Sequence, residues 1–538
     1  MPSFPRPSAG ALWWTTLLVG SLVLSSWRLA SAPVLNDDAV LYLIGAERYL
    51  AGGFDAALAT YGWPFLSVAI AWLHRLTGLP LPAAGLLLEN LSLLLLAVAF
   101  CRTARLLGGD RAAVSWWALL LVLSHPLLND FRAKILRDPG FAACLLLALS
   151  AQCRFATSGR LRHAAGWAAA LAAGSLFRVE ALAFALLSPW LLLRRRPDAP
   201  GSGGAPALTL ALPAGLGLLA LGGWGLAEAE AKPAQLAAAL AGGAAELGER
   251  LQRLAEFLGR ELFAPYARDY APAVLLLAVL LVTAGNAIQA LTLPWAAAWL
   301  FHLRRGVPVP PRERGLLYGY AAIAAAYLAG FTLFAGFNMD RYCLPLALLL
   351  LAPLAPSLAA WWRRGGAARA LLLAALAVNA AAGLWPQGDK VYLRQAASWI
   401  AANDAIPPRR LLTDEPYLGY FGGKSDLDQL LAARYPEHRP TPDTWALCWL
   451  PGYFYAVRTR DAAGATRLAA EVARARGQVL ARFANPEGRA VWIFQVARAT
   501  PRSPPFQWAE TARRLGAGPP GGENSGRPGE GVAPCCCP

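Results

Sequence analysis

The chain alternates between apolar runs of membrane-spanning length and short connections rich in arginine. A transmembrane helix needs about 20 mostly apolar residues, so runs near that size are candidate spans. The candidate spans are 11–32, 84–101, 112–128, 139–153, 164–177, 181–193, 207–227, 272–301, 316–337, 342–361 and 369–385. The first is too long for a signal peptide and lacks its small-residue cleavage pattern. The pattern predicts a polytopic α-helical membrane protein with about 11 transmembrane helices.

The charged residues between these runs predict the orientation of the chain in the membrane. Arginine clusters occupy alternate connections, as the positive-inside rule expects of cytoplasmic loops. They include Arg102, Arg105, Arg111, Arg154, Arg160, Arg162, Arg194, Arg195, Arg196, Arg304, Arg305, Arg312, Arg314, Arg363, Arg364 and Arg369. The opposite connections hold the acids Asp37, Asp38, Asp130, Asp138, Glu180, Asp269 and Asp340. We therefore expect a cytoplasmic N-terminus and a functional site on the extracytoplasmic side.

Two connections, at 33–83 and 228–270, are longer than turns but are not spans. The first contains AERYLAGGF and WPFLSVAIAWLHRLTG, and the second contains AAELGERLQRLAEFLGRELF. Apolar residues recur there at helical spacing among charged and aromatic ones. This pattern is typical of helices that lie in the membrane interface. Both are predicted to cover the extracytoplasmic face of a transmembrane domain at 1–385.

The composition becomes that of a soluble domain from about residue 386. RRLLTDEPYLGYFGG predicts a strand and a loop, and AGATRLAAEVARARG predicts an amphipathic helix. QVLARF and AVWIFQV flank Asn485-Pro486-Glu487-Gly488, which predicts a hairpin. A small extracytoplasmic α/β domain is therefore expected at 386–500. Pro, Gly, Ser and Arg dominate 501–538, which predicts a disordered tail.

Composition excludes an ordinary soluble domain and argues against a nucleic-acid partner. The chain is 57% hydrophobic, has 20 Trp and only 15% charged residues. The net charge of +16 comes largely from short arginine clusters between apolar runs, where membrane orientation explains it. Eight cysteines, including the terminal Cys535–Cys537 run, show neither metal-ligand spacing nor a paired framework.

Basic residues on the extracytoplasmic side run against the positive-inside trend and need an explanation. NDFRAKILRDPGF holds Arg132, Lys134 and Arg137 between Asp130 and Asp138, just before a predicted span. Any one such charge is usually a solvated flanking residue. Together they favour a site for an anion such as a lipid phosphate, which arginine binds through paired charge-assisted hydrogen bonds.

Two further arginines on the same side have two interpretations. Arg178 lies in SLFRVEAL and Arg341 in NMDRYCLPL, each beside an acid. One interpretation is local pairing, of Arg178 with Glu180 and of Arg341 with Asp340. The other is that both arginines complete the phosphate site. For Arg178 the two interpretations are equally supported by the sequence.

The acids have two chemical roles open to them. A carboxylate can act as general base and take the proton of an acceptor hydroxyl while phosphate leaves a sugar carbon. Two carboxylates, such as Asp38 and Asp138, can instead hold a divalent metal that stabilises the leaving phosphate. The residues alone do not decide between a base and a metal site.

The segment DDAVLYLIGAERYLAGG resembles a motif of the polytopic, polyprenyl-phosphate-sugar-dependent glycosyltransferases of the GT-C type. The protein mannosyltransferase-like branch and the aminoarabinose transferases of lipid A are the most similar. That family has an Asp after its first span, Tyr four positions later, and then a Leu-x-x-Gly element. Asp38 with Tyr42, and Leu50 with Gly53, have this spacing, whereas Asp37 has Leu at the Tyr position. The resemblance favours Asp38 over Asp37 as the catalytic acid.

Other segments resemble the family in the same order along residues 10 to 495. TYGWPFLSVAIAWLHRLTG is similar to its proline-centred interfacial segment, LRDPGF to its second acidic motif, and AAGSLFRVEAL to its short turn between spans. DRYCLPLALLLLAP is similar to its Arg-Tyr-x-x-Pro element, and LLTDEPYLGYFGGK to the start of its α/β domain. Trp63 replaces a phosphate-binding Lys of some members, and Ala39 replaces a Glu. The basic residues named above are expected to bind the phosphate instead.

The resemblance implies an inverting transfer of a sugar from a polyprenyl phosphate to a hydroxyl of an extracytoplasmic glycan, lipid or protein. It assigns catalysis to Asp38, Asp37 and Asp138, with a divalent metal on Asp38 and Asp138 as an option. Substrate binding is assigned to Arg132, Lys134, Arg137, Arg178, Arg341, Tyr42, Trp63 and Tyr342. High Ala, Arg, Gly and Leu content is typical of a GC-rich bacterium. The expected lipid is then undecaprenyl phosphate and the expected location the inner (plasma) membrane.

Two other classes of function are alternatives to sugar transfer. A transporter or lipid flippase predicts charged or broken helices near mid-membrane and symmetry between halves. In the sequence the ionisable residues fall at predicted helix ends, and no internal repeat is visible. A membrane scaffold for partner proteins would leave the extracytoplasmic basic cluster without a purpose.

Overall fold

The computed structural model describes residues 8–192, 248–249, 251–263, 265–335, 337–386, 390–427, 448–449, 451–497 and 500–501. The chain divides into a helical unit (Met1–Ala30 and Tyr42–Pro386) and a C-terminal unit (Ser31–Leu41 and Gln387–Pro538). The predicted span at 207–227, part of the predicted interfacial stretch at 228–270, and the predicted tail from 502 onward lie outside the described residues.

The helical unit is built from long α-helices joined by short turns. Its helices are α1 (Ala9–Ser31), α2 (Asp37–Thr60), α3 (Phe65–Thr77), α4 (Leu81–Leu106), α5 (Arg111–Ser124), α6 (Pro126–Phe131), α7 (Asp138–Ser158), α8 (Leu161–Phe177), α9 (Ala181–Leu187), α10 (Ala271–Leu291), α11 (Leu293–Arg305), α12 (Pro311–Ala335), α13 (Leu344–Leu351), α14 (Leu354–Arg364) and α15 (Gly366–Leu384). Short 3-10 turns follow α9 and precede α10 and α13. Helix α2 starts in the C-terminal unit and has non-helical backbone at Gly53 (φ 76°).

Six helices among the described residues are long and apolar enough to cross a membrane. They are Gly10–Ser31, Leu81–Leu106, Asp138–Ser158, Ala267–Leu291, Pro311–Leu333 and Gly366–Leu384. A bent pair, Asp340–Leu351 with Leu354–Arg364, makes a seventh if it is counted as one span. The first and last of the six are only 17% buried, which suits helices whose apolar sides face lipid. The predicted class, a polytopic helical membrane protein, is confirmed.

Several of the predicted spans are shorter or broken in the structure, for local backbone reasons. The span predicted at 272–301 is divided between α10 and α11 at Thr292, which has a positive φ of 70° and precedes Pro294. The span predicted at 342–361 bends by 53° between α13 and α14, next to Pro353. Proline lacks the N–H of the helical hydrogen bond, so such positions end or bend a helix.

The core of the helical unit lies where α4, α7 and α8 pack against one another. Gly140 at the start of α7 lies against the ring of Phe177, with no room for a larger side chain. Gly174 in α8 likewise approaches Cys144 of α7. Small residues at such positions let helix backbones come close in membranes. The start of α7 and the end of α8 are thereby held together, and the candidate site is built on this junction.

The C-terminal unit contains a four-stranded sheet with helices on both faces. Its strands are β1 (Leu411–Thr413), β3 (Phe454–Thr459), β4 (Gln478–Ala484) and β5 (Ala490–Gln495), in the order β1-β3-β5-β4. β1 pairs with β3 in parallel, and the other pairs are antiparallel. A separate pair joins β2 (Cys448–Trp449) and β6 (Thr500–Pro501). Its helices are α16 (Val391–Ala402), α17 (Pro416–Gly422) and α18 (Ala462–Arg474).

Alternation along the strands explains the two layers of this unit. Phe454 and Ala456 pack into the core under α16 and α17, whereas Tyr455 and Val457 pack into the core under α18. The predicted α/β composition, the helix α18 and the β4–β5 hairpin are confirmed. The loop predicted after β1 is wrong: Pro416 begins helix α17 there, a position where proline is well accommodated.

Candidate functional site

Three charged side chains meet at the junction of α7 and α8. Asp138 is the first residue of α7, and Arg178 and Glu180 follow the end of α8. Arg178 donates from Nη1 to Asp138 Oδ1 at 2.5 Å, and from Nη2 and Nε to Glu180 Oε1 at 2.5 and 3.0 Å. The Tyr327 hydroxyl donates to the same Glu180 oxygen at 2.7 Å. One guanidinium thus holds two carboxylates in a buried cluster.

The electrostatics of this cluster keep Arg178 and Glu180 charged at neutral pH. Burial alone would raise the pKa of the Glu180 carboxyl, but the charge and hydrogen bonds of Arg178 lower it to about 2. Burial lowers the pKa of Arg178, yet Glu180 and Asp138 raise it well above its ordinary value. The local pairing of Arg178 with Glu180 that the sequence left open is present, and Asp138 is a second partner of the same arginine.

A cleft in the helical unit opens beside these three residues. Its lining combines them with apolar and aromatic side chains; the lining residues are Asp138, Phe141, Arg178, Glu180, Phe184, Ala324, Tyr327, Leu328, Tyr342 and Pro345. The charged cluster and these aromatic side chains therefore line the same small cleft.

Arg137 directly precedes Asp138, but its surroundings are different. Its guanidinium carbon lies 5.8 Å from the ring centre of Tyr42 and 5.2 Å from that of Tyr61. These distances are within the range of cation–π attraction. Among the residues that the structure describes, no hydrogen bond or ion pair holds the Arg137 side chain. The charges of Arg178 and Glu180 act on it, so it belongs to the same electrostatic neighbourhood.

The Arg132 side chain, in contrast, is buried and hydrogen-bonded within the protein. Its side chain is 2% exposed, with Nε donating to Asn129 Oδ1 at 2.9 Å. Nη1 donates to the Ser25 hydroxyl at 2.9 Å and to the Ser21 carbonyl at 3.2 Å. Its backbone carbonyl accepts from Asn90 at 3.0 Å. Arg132 therefore joins α1, α4 and α6.

Lys134 is also paired within the protein. Its ammonium group contacts Asp130 Oδ2 at 2.5 Å, and Arg28 Nη2 contacts the other oxygen of Asp130 at 2.8 Å. Lys134 is one-third exposed, whereas Arg28 is buried. Asp130 thus links the end of α1 to the segment after α6.

Tyr342 and Arg341 lie at another side of the cleft. The Tyr342 ring contacts two guanidinium groups, with Arg178 at 5.0 Å and Arg341 at 4.9 Å from its centre. Arg341 also donates from Nη2 to the Tyr342 hydroxyl at 3.0 Å. The structure therefore brings Asp138, Arg178 and Tyr342 together in one cleft, with Arg341 beside them.

The Trp63 indole supports the end of α8. Its N–H donates to the carbonyls of Ser175 and Leu176, at 2.9 and 2.8 Å. The last carbonyls of a helix have no partner within the helix, so the indole satisfies two of them. Trp63 thereby holds the backbone directly before Arg178.

Asp37 and Asp38 occupy the first turn of α2 and belong to the C-terminal unit. Carboxylates at this position interact favourably with the positive end of the helix dipole. Val34, just before them, packs on the core of the same unit. Burial, and after it the negative charge of Asp37, raise the pKa of Glu415, which is ion-paired to Arg458 at 2.8 Å. Glu415 is thus a carboxylate near Asp37 that the sequence analysis did not single out.

Comparison with known proteins gave matches at the level of structure. No family model and no curated protein matches the sequence. ArnT from Cupriavidus metallidurans bound to undecaprenyl phosphate matches over 90% of this chain and 98% of its own, with 16% identity and a TM-score of 0.52. Its apo state matches over the same shares with 16% identity and a TM-score of 0.43. AglB from Archaeoglobus fulgidus in complex with an inhibitory peptide and a dolichol-phosphate matches over 73% of this chain and 58% of its own, with 13% identity and a TM-score of 0.44.

This chain has the fold of ArnT. The GT-C-type fold predicted from the order of motifs is thereby confirmed. At 16% identity the likeness concerns the fold, so the roles of individual residues are argued below from their own contacts.

The structure adds residues to the site that the sequence analysis missed. Tyr61 completes the aromatic contact around Arg137, and Tyr327 donates to Glu180. Glu89 is a buried acid inside α4, so the expectation that ionisable residues lie at helix ends is wrong at this position.

Within the described residues, no group of three or more His, Cys, Asp and Glu side chains is placed to hold a metal. Asp138, one of the two predicted ligands, already places a carboxylate oxygen against Arg178. Hard divalent cations prefer several oxygen ligands. No step of the mechanism below is therefore assigned to a metal.

Proposed function

We propose that the protein is an integral membrane glycosyltransferase that transfers a sugar from a polyprenyl phosphate to an acceptor hydroxyl. The observation that carries this proposal is the position of Arg137. Its guanidinium lies against two tyrosines, the next residue, Asp138, lines the cleft, and no described residue hydrogen-bonds to the guanidinium. The fold supports the same conclusion, because the ArnT structure that shares it holds undecaprenyl phosphate.

Arg137 is the proposed contact to the donor phosphate. A guanidinium can donate two parallel hydrogen bonds to phosphate oxygens, and the flanking rings of Tyr42 and Tyr61 keep its plane in place. Arg178 is held by Asp138 and Glu180, so its charge is largely balanced before any ligand binds. Its role is to fix those carboxylates, and the apolar lining of the cleft accommodates the start of the polyprenyl chain.

Asp38 is the proposed general base. It lies four positions before Tyr42 on α2, the spacing that favoured it over Asp37 in the sequence. Its carboxylate takes the proton of the acceptor hydroxyl, and the acceptor oxygen forms a bond to the anomeric carbon. The bond between that carbon and the phosphate oxygen breaks, and the electron pair leaves with the phosphate, whose charge Arg137 stabilises. Attack from the face opposite the phosphate inverts the configuration of the sugar.

The proposed setting is the inner membrane of a bacterium, with undecaprenyl phosphate as carrier. The arginine distribution supports a cytoplasmic N-terminus and chemistry on the extracytoplasmic side. The acceptor is proposed to be a hydroxyl of an envelope glycan, lipid or protein.

A transporter or lipid flippase is the second candidate, and two observations favour it. Glu89 is an ionisable residue inside a span, and the helix pair α13–α14 is bent by 53°. A flippase would move a labelled lipid-linked sugar between leaflets without cleaving it. Sugar transfer instead releases free undecaprenyl phosphate, so the two functions give different products.

The deciding experiment compares Asp38→Asn with the wild type in proteoliposomes. The donors are undecaprenyl-phosphate-linked radiolabelled hexoses and pentoses, and the acceptor is total envelope lipid and glycoprotein. Removing a general base should lower undecaprenyl phosphate release by about a hundredfold or more. Asp55→Asn, an exposed acid on the same helix, is the matched control and should behave as wild type. Wild-type release by Asp38→Asn would contradict the assigned base, and movement of intact lipid would favour the flippase.

A further inference from the structure

Glu89 is a buried acid within a membrane span, and the proposed mechanism gives it no chemical step. It lies in α4, one of the helices long enough to cross the membrane, and is 2% exposed. Ionisable residues inside such helices are rare, and they usually have a function. The environment of Glu89 indicates what that function is.

The carboxylate of Glu89 binds the backbone of the loop that precedes Asp138. Glu89 Oε2 accepts a hydrogen bond from the Leu136 N–H at 3.1 Å. Leu136 lies outside any helix and its side chain is buried. Irregular backbone in an apolar interior needs partners for its polar groups, because no water is there to replace them. Glu89 supplies that partner from a neighbouring helix.

Two further residues of α4 contact the same loop. Asn90 donates from Nδ2 to the Arg132 carbonyl at 3.0 Å. Gly85 lies so close to Ile135 that a Cβ built on Gly85 would come within 2.5 Å of Ile135 Cδ1. Helix α4 therefore contacts the loop at positions 132, 135 and 136. The next residue along the chain is Arg137.

We propose that Glu89 is a positioning residue that fixes the 132–137 loop so that Arg137 lies against Tyr42 and Tyr61. The consequence for donor binding rests on the proposed function, in which Arg137 holds the phosphate. Glu89 Oε1 has no hydrogen-bond partner among the described residues. One acceptor oxygen is therefore what the loop requires, and neither the second oxygen nor an ionisable group is needed for it.

The test compares two substitutions that both remove the ionisable group. Glu89→Gln keeps a carbonyl oxygen that can accept from Leu136, whereas Glu89→Leu removes the acceptor. Ser92→Ala is the matched control: Ser92 is buried on the same helix, and its hydroxyl donates to the Leu88 carbonyl of its own helix at 2.9 Å. Hydrogen–deuterium exchange of the peptide covering 132–137 is measured by mass spectrometry in detergent. Exchange should rise about tenfold in Glu89→Leu and stay at the wild-type rate in Glu89→Gln and Ser92→Ala.

Donor kinetics then connect the loop to Arg137. With undecaprenyl-phosphate-linked labelled sugar, the KM of Glu89→Leu should rise about tenfold with a smaller change in kcat, and that of Glu89→Gln should stay within about threefold. Glu89→Leu should add little to the loss caused by Arg137→Gln, because both act on the same contact. Additive losses would overturn the link between Glu89 and Arg137.

Other results of the exchange and kinetic experiments also test the role of Glu89. Equal damage by Glu89→Gln and Glu89→Leu would show that the charge or a proton at position 89 matters, and would overturn the proposal. Wild-type exchange in Glu89→Leu would overturn it as well. If Glu89→Leu does not accumulate, Asn90→Ala replaces it and should loosen the same loop at Arg132. The exchange experiment needs no substrate, so it separates failure of this proposal from failure of the sugar-transfer function.

Discussion

The segment between α6 and α7 has two parts, and the basic residues of the two parts have different surroundings. In the first part, Arg132 donates three hydrogen bonds to its own protein and Lys134 is paired with Asp130. In the second part, the Arg137 guanidinium lies over the rings of Tyr42 and Tyr61, and no described residue hydrogen-bonds to it. The sequence signal is the same in both, a basic residue against the positive-inside trend. The charge alone therefore does not identify a ligand-binding arginine. An arginine whose N–H donors have acceptors within the protein is structural, whereas one whose donors have no acceptor among the described residues is a candidate for ligand binding.

The first part shows that a buried cation can be held without a carboxylate. Arg132 binds two carbonyl-type oxygens and one hydroxyl, and no ion pair to a described residue accompanies them. Burial lowers the pKa of Arg132 to about 10, which still leaves it protonated at neutral pH. The charged Arg132 therefore joins three helices, whereas no described residue accepts a hydrogen bond from the Arg137 guanidinium.

The largest effect is expected from Arg137→Gln. Removing the guanidinium takes away the proposed charge stabilisation of the leaving phosphate, so kcat/KM for the lipid-linked donor should fall by about a hundredfold or more. The free energy of unfolding should fall by only about 1 to 2 kcal/mol, because the two cation–π contacts are lost but no described residue depends on a hydrogen bond from Arg137. Arg137→Lys should recover part of the activity, since it restores the charge without the paired donors. Full activity in Arg137→Gln would place the phosphate elsewhere.

Much of the fold was predictable. The length of an apolar run matches the thickness of the bilayer, and the distribution of arginine indicates which loops are cytoplasmic. The polytopic class and the β4–β5 hairpin followed from periodicity and turn residues. The breaks at Thr292 and near Pro353 were missed, because a run of apolar residues looks the same whether its helix is straight or bent. The grouping of Ser31–Leu41 with the C-terminal unit depends on long-range packing, which no local pattern contains.

The site was predictable only as a set of candidates. Charge and position selected Arg132 and Arg137 alike, but the sequence does not show which hydrogen-bond acceptors surround each of them. Glu89 was missed because a single acid among leucines carries no periodic signal. Its use becomes visible only when the backbone of Leu136 is placed beside it.

An intermediate effect, on stability more than on turnover, is expected from Arg132→Leu. The substitution leaves the acceptors of Asn129, Ser25 and Ser21 without their buried donor, which costs about 1 to 3 kcal/mol of unfolding free energy. The KM of the remaining folded protein for the donor should stay within about threefold of wild type. Thermal unfolding and donor titration on the same sample measure both quantities. A large rise in KM without loss of stability would assign Arg132 to the ligand and remove the distinction between the two parts.

The smallest effect is expected from Lys134→Gln. Lys134 is one-third exposed and pairs with Asp130 four residues earlier, an arrangement that contributes about 0 to 1 kcal/mol. Asp130 keeps its contact to Arg28 at 2.8 Å, so its carboxylate is not left alone. The free energy of unfolding should therefore fall by less than about 1 kcal/mol, and donor kcat/KM should change by less than about twofold. A hundredfold loss of donor binding in this variant would mean that the phosphate lies on the Arg132–Lys134 part of the loop, and that the tyrosine contacts of Arg137 serve only packing.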